Sequence, residues 1–218
     1  MNSYKEKHGF TLVELLIVIT VIAILSSLVI TTAARIQSKA KEQLTENTIA
    51  ILTAALEQFR DAGYRYDNSV VDYSEFDFPL DCNDPVKHPF DETLKNALGA
   101  TTVLIGPAGG HKVEDSECEA MYFFLSRVPE CREILDKIDR SLITSEGANK
   151  QAMSIVIDFS GNSRTYPLLR VIDPWGKTLR YNYYKDKINP KDRKNFPLVA
   201  SAGPDKQFET SDDISNKK

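Results

Sequence analysis

The residue whose type and position most clearly suggest a chemical role is a single carboxylate placed in an apolar segment. Glu14 is followed by residues 15–34, which carry no charge. A charged side chain inside a membrane helix costs about 2.5 to 3.5 kcal/mol at the bilayer centre and less near an end. The sequence therefore predicts that Glu14 either reaches the headgroups or is paired with a positive group.

The uncharged segment is long enough to cross a bilayer. A helix over residues 15–34 would span a hydrocarbon core about 30 Å thick. β-Branched residues are frequent here, but an open strand would leave backbone groups unpaired in lipid, so we expect a helix.

A secretory signal peptide is the alternative, with Lys5 and Lys7 as its positive region. The apolar run instead continues through residues 26–30 and then passes into residues 35–41, which look like the same helix becoming amphipathic, and nothing after the run indicates a cleavage site. Basic residues flank both ends, so charge alone leaves the orientation open.

The residues around Glu14 resemble a known processing signal. Residues 7–16 read Lys-His-Gly-Phe-Thr-Leu-Val-Glu-Leu-Leu, which is similar to the cleavage and methylation signal of type IV prepilins and type II secretion pseudopilins. The resemblance implies cutting between Gly9 and Phe10, and N-methylation of Phe10. It also implies that Glu14 pairs with the N-terminal amine of a neighbouring subunit in a filament. Such a pair is physically reasonable, because either charge alone is costly to bury.

The same resemblance implies the organisation and location of the chain. Residues 1–9 would be a leader peptide, 10–34 a transmembrane helix and assembly segment, and 35–218 a periplasmic α+β domain. The protein would cross a bacterial inner membrane once, with its N-terminus in the cytoplasm, and assemble into a periplasmic or surface filament. Its partners would be other pilin-like subunits, a prepilin peptidase, and an inner-membrane assembly platform with a cytoplasmic ATPase.

The helical pattern continues beyond the uncharged segment to about residue 61, before Gly63. Apolar residues recur there at spacings of three and four, which predicts one buried face. That face comprises Leu44, Thr48, Leu52, Ala55, Leu56 and Phe59, and the opposite, solvated face comprises Lys41, Glu42, Glu46, Asn47, Glu57 and Arg60.

The remainder of the chain is expected to complete a two-layer α+β fold, in which the long N-terminal helix packs on one C-terminal antiparallel sheet. Residues 64–110 are interpreted as an irregular connection with one weak helix at 91–98. They belong to a long segment over 64–150 that would be an insertion relative to the compact body of the pseudopilins. We expect helices at 117–125 and 129–142, and strands at 154–159, 165–172 and 178–184, with a short fourth strand at 198–200.

The C-terminal region carries a second resemblance, to the major pseudopilins. An Asp-Pro-Trp-Gly turn occupies 173–176, and a Ser-x-Gly-x-Asp loop begins at Ser201. In the relatives this loop binds calcium, which implies Asp205, Asp212 and Asp213 as side-chain ligands, helped by backbone carbonyls near Ser201. Calcium takes six to eight oxygens, so this donor set is chemically reasonable. The alternative is a merely solvated acidic chain end, because the spacing is not that of an EF-hand.

Three cysteines occur in the presumed soluble body. Cys82, Cys118 and Cys131 match no zinc pattern of paired C-x-x-C units. In an oxidising compartment one disulfide is plausible, and Cys118 and Cys131 are the nearest pair in sequence. Buried, unpaired cysteines are the alternative.

Composition and motifs bound the function classes. The formal net charge of -4 is too mild to indicate nucleic-acid binding. An enzyme tethered by one span would use His88 or His111 as its general base. Neither histidine is accompanied by a G-x-S-x-G motif or a phosphate-binding loop, so we expect a structural role and no enzyme. The leading hypothesis is a type II secretion pseudopilin that drives protein export. The alternative is a minor type IV pilin in adhesion, initiation or DNA uptake.

Overall fold

A computed structural model describes residues 12–62, 101–105, 111–159, 162–183 and 196–217. Side chains are described for a smaller set, which leaves out 27–32, 34 and 101–105 among others. The chain divides into two compact units, Met1–Lys41 and Glu42–Lys218, which are considered separately below. The predicted helix at 91–98 and the predicted stop at Gly63 lie outside the described residues.

One long helix begins the described chain. Helix α1 covers Leu12–Asp61, which confirms the helix predicted from the apolar run and its amphipathic continuation. Its part in the first unit exposes large apolar side chains, namely Leu12, Val13, Leu15, Leu16, Ile17, Val18, Ile19, Val21, Ile22, Ile24, Leu25 and Ile36. Within the ranges given above, no helix combines the length and apolar character of a membrane span. The predicted span over 10–34 stays a prediction.

The part of α1 in the second unit has the predicted buried face. Thr48, Leu52, Ala55, Leu56 and Phe59 are buried, whereas Leu44 is half-buried. On the opposite face the side chains of Glu46, Asn47, Glu57 and Arg60 are exposed. The three-and-four spacing therefore gave the correct orientation of this helix.

Two shorter helices follow in the described part of the second unit. Helix α2 covers Ser116–Arg127 and helix α3 covers Pro129–Leu135. Pro129 opens α3 as predicted, since a first-turn residue needs no N–H partner. The predicted helix over 129–142 is wrong in its second half. Asp139 is extended there and its carboxylate accepts a hydrogen bond from the Ser141 amide, which starts a separate 3₁₀ turn at Arg140–Leu142.

Within the described ranges the strands form three small antiparallel sheets instead of the predicted single sheet. Their bounds are β1 Thr101–Ile105, β2 Ile143–Thr144, β3 Ser154–Phe159, β4 Asn162–Pro167, β5 Arg170–Val171, β6 Arg180–Asn182, β7 Leu198–Ser201 and β8 Ile214–Ser215. The orders are β1-β3-β4, β2-β5 and β6-β7-β8.

The predicted strand at 165–172 is divided in two by its own sequence. Its first part belongs to β4, which pairs with β3 and ends at Pro167. Proline has no N–H to continue a ladder, and the Leu169 amide turns back to the Pro167 carbonyl. The chain then pairs again as β5, with β2 as its partner. A second correction concerns β1, which lies within the segment interpreted as irregular although Thr101–Ile105 is rich in β-branched residues.

One hydrophobic core collects side chains from α1, α2, α3 and the later strands. Leu52, Leu56, Phe124, Ile155 and Tyr181 are among its largest fully buried members. The fold class is therefore mixed α+β, with an N-terminal helix and C-terminal antiparallel sheets. The predicted packing of the long helix directly on one sheet stays a prediction.

Candidate functional site

The predicted assembly residue lies in the first turn of α1. Glu14 is exposed there, between the exposed apolar side chains of Val13 and Leu15. An acid in a first turn interacts favourably with the positive end of the helix dipole. Gly9 and Phe10, the predicted cleavage and methylation residues, lie outside the described residues.

The Asp-Pro-Trp-Gly turn is organised by its own aspartate. Asp173 is 2% exposed, and its Oδ1 accepts hydrogen bonds from the amides of Trp175 at 3.0 Å and Lys177 at 2.9 Å. Gly176 has a φ of +86°, a conformation that favours glycine. An isolated bridge between Ile172 and Thr178 closes the turn.

The second predicted motif meets the first at the other carboxylate oxygen of Asp173. The Ser201 hydroxyl, at the end of β7, donates to Asp173 Oδ2 at 2.7 Å, and this contact is buried. The same Ser201 oxygen accepts a hydrogen bond from the Gly203 amide at 3.1 Å. The turn and the C-terminal loop, predicted as separate motifs, are therefore joined by one buried aspartate.

The first part of the acidic loop folds closely on itself. Gly203 has a φ of +64°, and a Cβ placed there would lie 2.8 Å from Asp212 Oδ2. Asp212 Oδ2 accepts a hydrogen bond from the Asp205 amide at 3.2 Å, and Oδ1 accepts one from the Thr210 hydroxyl at 2.7 Å. These hydrogen bonds, with Thr210 contributing most, lower the pKa of the Asp212 carboxyl. Two of the three predicted calcium ligands are thus neighbours.

The third predicted ligand has different surroundings. Asp213 Oδ2 accepts a hydrogen bond from the Glu209 amide at 2.8 Å, whereas its Oδ1 is buried and has no hydrogen-bond partner. Among the described side chains, no three His, Cys, Asp or Glu residues come together as a metal cluster. The loop therefore offers two adjacent carboxylates and one buried oxygen, not three convergent carboxylates.

A basic residue of β6 holds the middle of the same loop. The Arg180 guanidinium lies 3.9 Å from the centre of the Phe208 ring, and its Nη1 is 3.4 Å from Glu209 Oε1. Cation–π contacts of this kind contribute roughly 0.5 to 1 kcal/mol at exposed sites. The loop is therefore attached to β6 as well as to the turn.

A buried charged cluster lies in the same unit, and the sequence analysis did not predict it. Arg170, in β5, places its Nε 3.4 Å from Asp115 Oδ2 and its Nη1 3.5 Å from Glu119 Oε1. Glu119 Oε2 lies 2.7 Å from His111 Nε2. The Thr178 hydroxyl donates to Asp115. Burial raises the pKa of Glu119, although His111 and Arg170 oppose that shift.

The cluster could have been found from two charges within apolar patterns. Glu119 stands beside Cys118, Ala120 and Met121 on α2, and Arg170 stands before Val171 in β5. A charged residue at such a position is rarely buried unless it is paired. His111, the candidate general base, is also a member of this cluster, and its side chain is 7% exposed.

The two described cysteines do not form the predicted disulfide. Cys118 and Cys131 are both free and buried. The Cys118 thiol lies 3.6 Å from the Val171 carbonyl and the Cys131 thiol 3.3 Å from the Ala55 carbonyl. Burial raises the pKa of Cys118 to about 12 and that of Cys131 to about 11. The pairing by proximity in sequence is corrected, because α2 directs its thiol to β5 whereas α3 directs its thiol to α1. Cys82 lies outside the described residues.

Comparison with known protein families identifies the N-terminal segment. Residues 4–30 match the family model described as the prokaryotic N-terminal methylation motif, a type IV pilin-like signal. The motif implies a membrane-anchored precursor that is processed by a prepilin peptidase and assembles with other pilin-like subunits. No curated protein and no solved structure matches the chain.

Proposed function

We propose that this chain is a structural subunit of a type IV pilus-like filament, made as a precursor and polymerised through α1. The observation that carries the proposal is the methylation motif over 4–30, followed by a helix whose first turns expose an apolar surface. An exposed apolar surface of this extent needs lipid or protein to cover it. In the filament, neighbouring helices would replace the bilayer around α1.

Two charged groups near the N-terminus of the processed chain would cooperate in assembly. Cleavage after Gly9 would create a new amine at Phe10, and Glu14 would accept that amine from a neighbouring subunit. In a low-dielectric bundle the two charges attract strongly, whereas either one alone is costly to bury. The pair would therefore fix the axial register between subunits. Removal of the leader would precede it, because the amine does not exist in the precursor.

A catalytic role has less support than a structural one. His111, the candidate base within the described ranges, is buried against Glu119 at 2.7 Å, so its imidazole is engaged inside the fold. We therefore propose that the C-terminal unit, Glu42–Lys218, forms the outer surface of the filament. The proposed location is the bacterial inner membrane, with the C-terminal unit in the periplasm.

Substitution of Gly9 tests the processing step. We expect Gly9→Val, expressed with a prepilin peptidase, to leave the full precursor uncut, because a side chain at this position blocks close approach of a protease to the backbone. Intact-mass measurement of the purified protein would show a wild-type chain that begins at a methylated Phe10 and a variant that begins at Met1. Asn2→Ala, a change in the leader away from the cleavage position, serves as the control and should be trimmed like the wild type. Normal trimming of Gly9→Val would contradict the assignment.

The subunit could belong to either of two kinds of filament, and a different observation favours each. The joined Asp-Pro-Trp-Gly turn and Ser201 loop favour a type II secretion pseudopilin that drives protein export. The long segment over 64–150 favours a minor pilin that acts in adhesion, initiation or DNA uptake. Neighbouring genes for a secretion ATPase and an outer-membrane secretin would favour the first assignment, and adhesin or competence genes would favour the second.

We also propose that the C-terminal loop binds calcium. The buried, unpartnered Asp213 Oδ1 and the close approach of Gly203 to Asp212 fit an oxygen-rich cation site. Asp205, Asp212 and Asp213 would supply carboxylates, and backbone carbonyls near Ser201 would complete the donor set. When bound, the ion would neutralise the acidic loop and hold its two ends together.

Calcium is expected to stabilise the folded protein. At a calcium concentration about 100-fold above the dissociation constant, the melting temperature of the detergent-solubilised full chain should exceed that in EDTA by roughly 5 to 10 °C. Differential scanning calorimetry measures this difference directly. Asp212→Asn should remove the difference, whereas Asp139→Asn, which alters an exposed aspartate outside the loop, should keep it. Identical transitions in calcium and EDTA for the wild type would overturn the calcium proposal.

A further inference from the structure

Asp173 is buried where the Asp-Pro-Trp-Gly turn meets the C-terminal loop that begins at Ser201. A carboxylate that is 2% exposed must be compensated by hydrogen bonds or charge. Here the compensation comes from the amides of Trp175 and Lys177 on one oxygen and the Ser201 hydroxyl on the other. Of these three hydrogen bonds, the one from Ser201 connects the turn to another segment, because Ser201 lies 28 residues after Asp173.

The Ser201 hydroxyl links the Asp173 carboxylate to the backbone of Gly203. A hydroxyl has one proton to donate and two lone pairs. Because Asp173 Oδ2 takes the proton at 2.7 Å, the lone pairs of Ser201 are left for the Gly203 amide at 3.1 Å. The direction of the first hydrogen bond therefore fixes the second, and with it the backbone between Ser201 and Gly203.

Gly203 in turn determines where the acidic loop closes. Its backbone lies so near Asp212 that a Cβ would come within 2.8 Å of Asp212 Oδ2. That oxygen also accepts the Asp205 amide at 3.2 Å. A continuous set of contacts thus runs from Asp173 through Ser201 and Gly203 to the two adjacent carboxylates.

We infer that Asp173 and Ser201 are positioning residues for cation binding by the C-terminal loop, with the buried turn holding the loop in its binding shape. This inference rests on the proposed calcium site. Neither side chain needs to touch the ion for this role. Residues that orient metal ligands from a second layer typically contribute 10- to 100-fold to metal affinity.

Two substitutions interrupt the contacts at successive points. Asp173→Asn places an amide donor where the carboxylate accepted, so the Ser201 hydroxyl loses its fixed direction. Ser201→Ala removes the hydroxyl and keeps the backbone carbonyls. We expect each variant to raise the calcium dissociation constant roughly 10- to 100-fold, measured by isothermal titration of calcium chloride into the full chain in detergent. The calcium-dependent rise in melting temperature should shrink in parallel.

Matched controls come from a similar motif elsewhere in the unit. Asp139 accepts hydrogen bonds from both the amide and the hydroxyl of Ser141, at 2.9 and 2.8 Å, on an exposed turn. Asp139→Asn and Ser141→Ala make the same chemical changes there and should leave the calcium dissociation constant as in the wild type.

Each outcome separates the positioning role from a purely structural one. Melting in EDTA reports structural damage alone, so a variant that melts lower in EDTA but binds calcium as tightly as the wild type would overturn the inference. If Asp173→Asn fails to fold, Ser201→Ala decides the matter, because it introduces no buried charge or amide. A wild-type chain that binds no calcium would overturn the calcium proposal, whereas wild-type binding with unchanged variants would overturn only the positioning role.

Discussion

Replacing Arg170 with methionine is expected to lower the free energy of unfolding by about 3 to 5 kcal/mol, because it removes the cation from two buried carboxylates. Glu119 is fully buried and Asp115 is nearly so, at 3.5 and 3.4 Å from the guanidinium nitrogens of Arg170. Methionine fills similar space, so the change is chiefly electrostatic. Urea unfolding of the full chain in detergent, followed by the emission of Trp175, the only tryptophan, measures the difference.

A matched variant and a second-site change sharpen this test. Arg132 is exposed, and its guanidinium donates only to the Ser126 carbonyl among the contacts described, so Arg132→Met should lower stability by about 1 kcal/mol. In a Glu119→Gln background, Arg170→Met should be less damaging, because one buried charge has gone. Strict additivity of the two changes would contradict direct coupling between these residues.

The helices could be predicted because their determinants are local. The spacing of apolar residues in α1 gave both its extent and its buried face, and Pro129 marked the start of α3. A strand needs a partner as well as a pattern, and partners lie far away in sequence. The break at Pro167 is a local effect, since proline has no N–H to continue a ladder, but the pairing of β5 with β2 follows from contacts that no single segment specifies.

The candidate sites show the same limit at the level of side chains. Asp173 and Ser201 were each singled out within a motif, but the hydrogen bond between them crosses two segments and could not be predicted from either one. Likewise, the apolar surroundings of Arg170 and Glu119 indicate that each charge is buried, but the contact between them joins β5 to α2 and could not be predicted from either segment alone. The nearest-neighbour rule also failed for Cys118 and Cys131, since helix direction, not sequence separation, determined what each thiol contacts.

The two units use charge in opposite ways. In the second unit, Arg170 and its carboxylates satisfy one another within a single chain. In the first, we propose that Glu14 pairs with the N-terminal amine of a neighbouring subunit in the filament. A charge that is satisfied internally supports folding, whereas a charge that requires a second copy supports assembly. This difference predicts that substitutions in the two units have separable effects.

We therefore expect Glu14→Val to abolish filament formation while leaving membrane insertion and the stability of the body intact. Removing the carboxylate makes the helix more apolar, so insertion should become easier by up to about 3 kcal/mol. In the filament, however, the N-terminal amine of the neighbouring subunit would lose its partner, and an uncompensated buried charge costs about 3 to 5 kcal/mol. Membrane fractionation would measure insertion, and electron microscopy of sheared filaments from cells with the complete assembly machinery would measure yield.

Thr20→Val supplies the matched control within the same helix. The Thr20 hydroxyl donates to the Leu16 carbonyl at 2.8 Å, so this variant also replaces a polar side chain with valine but removes no charge. If hydrophobicity of the segment governs assembly, the two valine variants should behave alike. If the carboxylate is the determinant, Thr20→Val forms filaments at the wild-type level and Glu14→Val does not. A wild-type yield from Glu14→Val would remove Glu14 from the assembly mechanism, and the register between subunits would then have to come from contacts between the folded bodies.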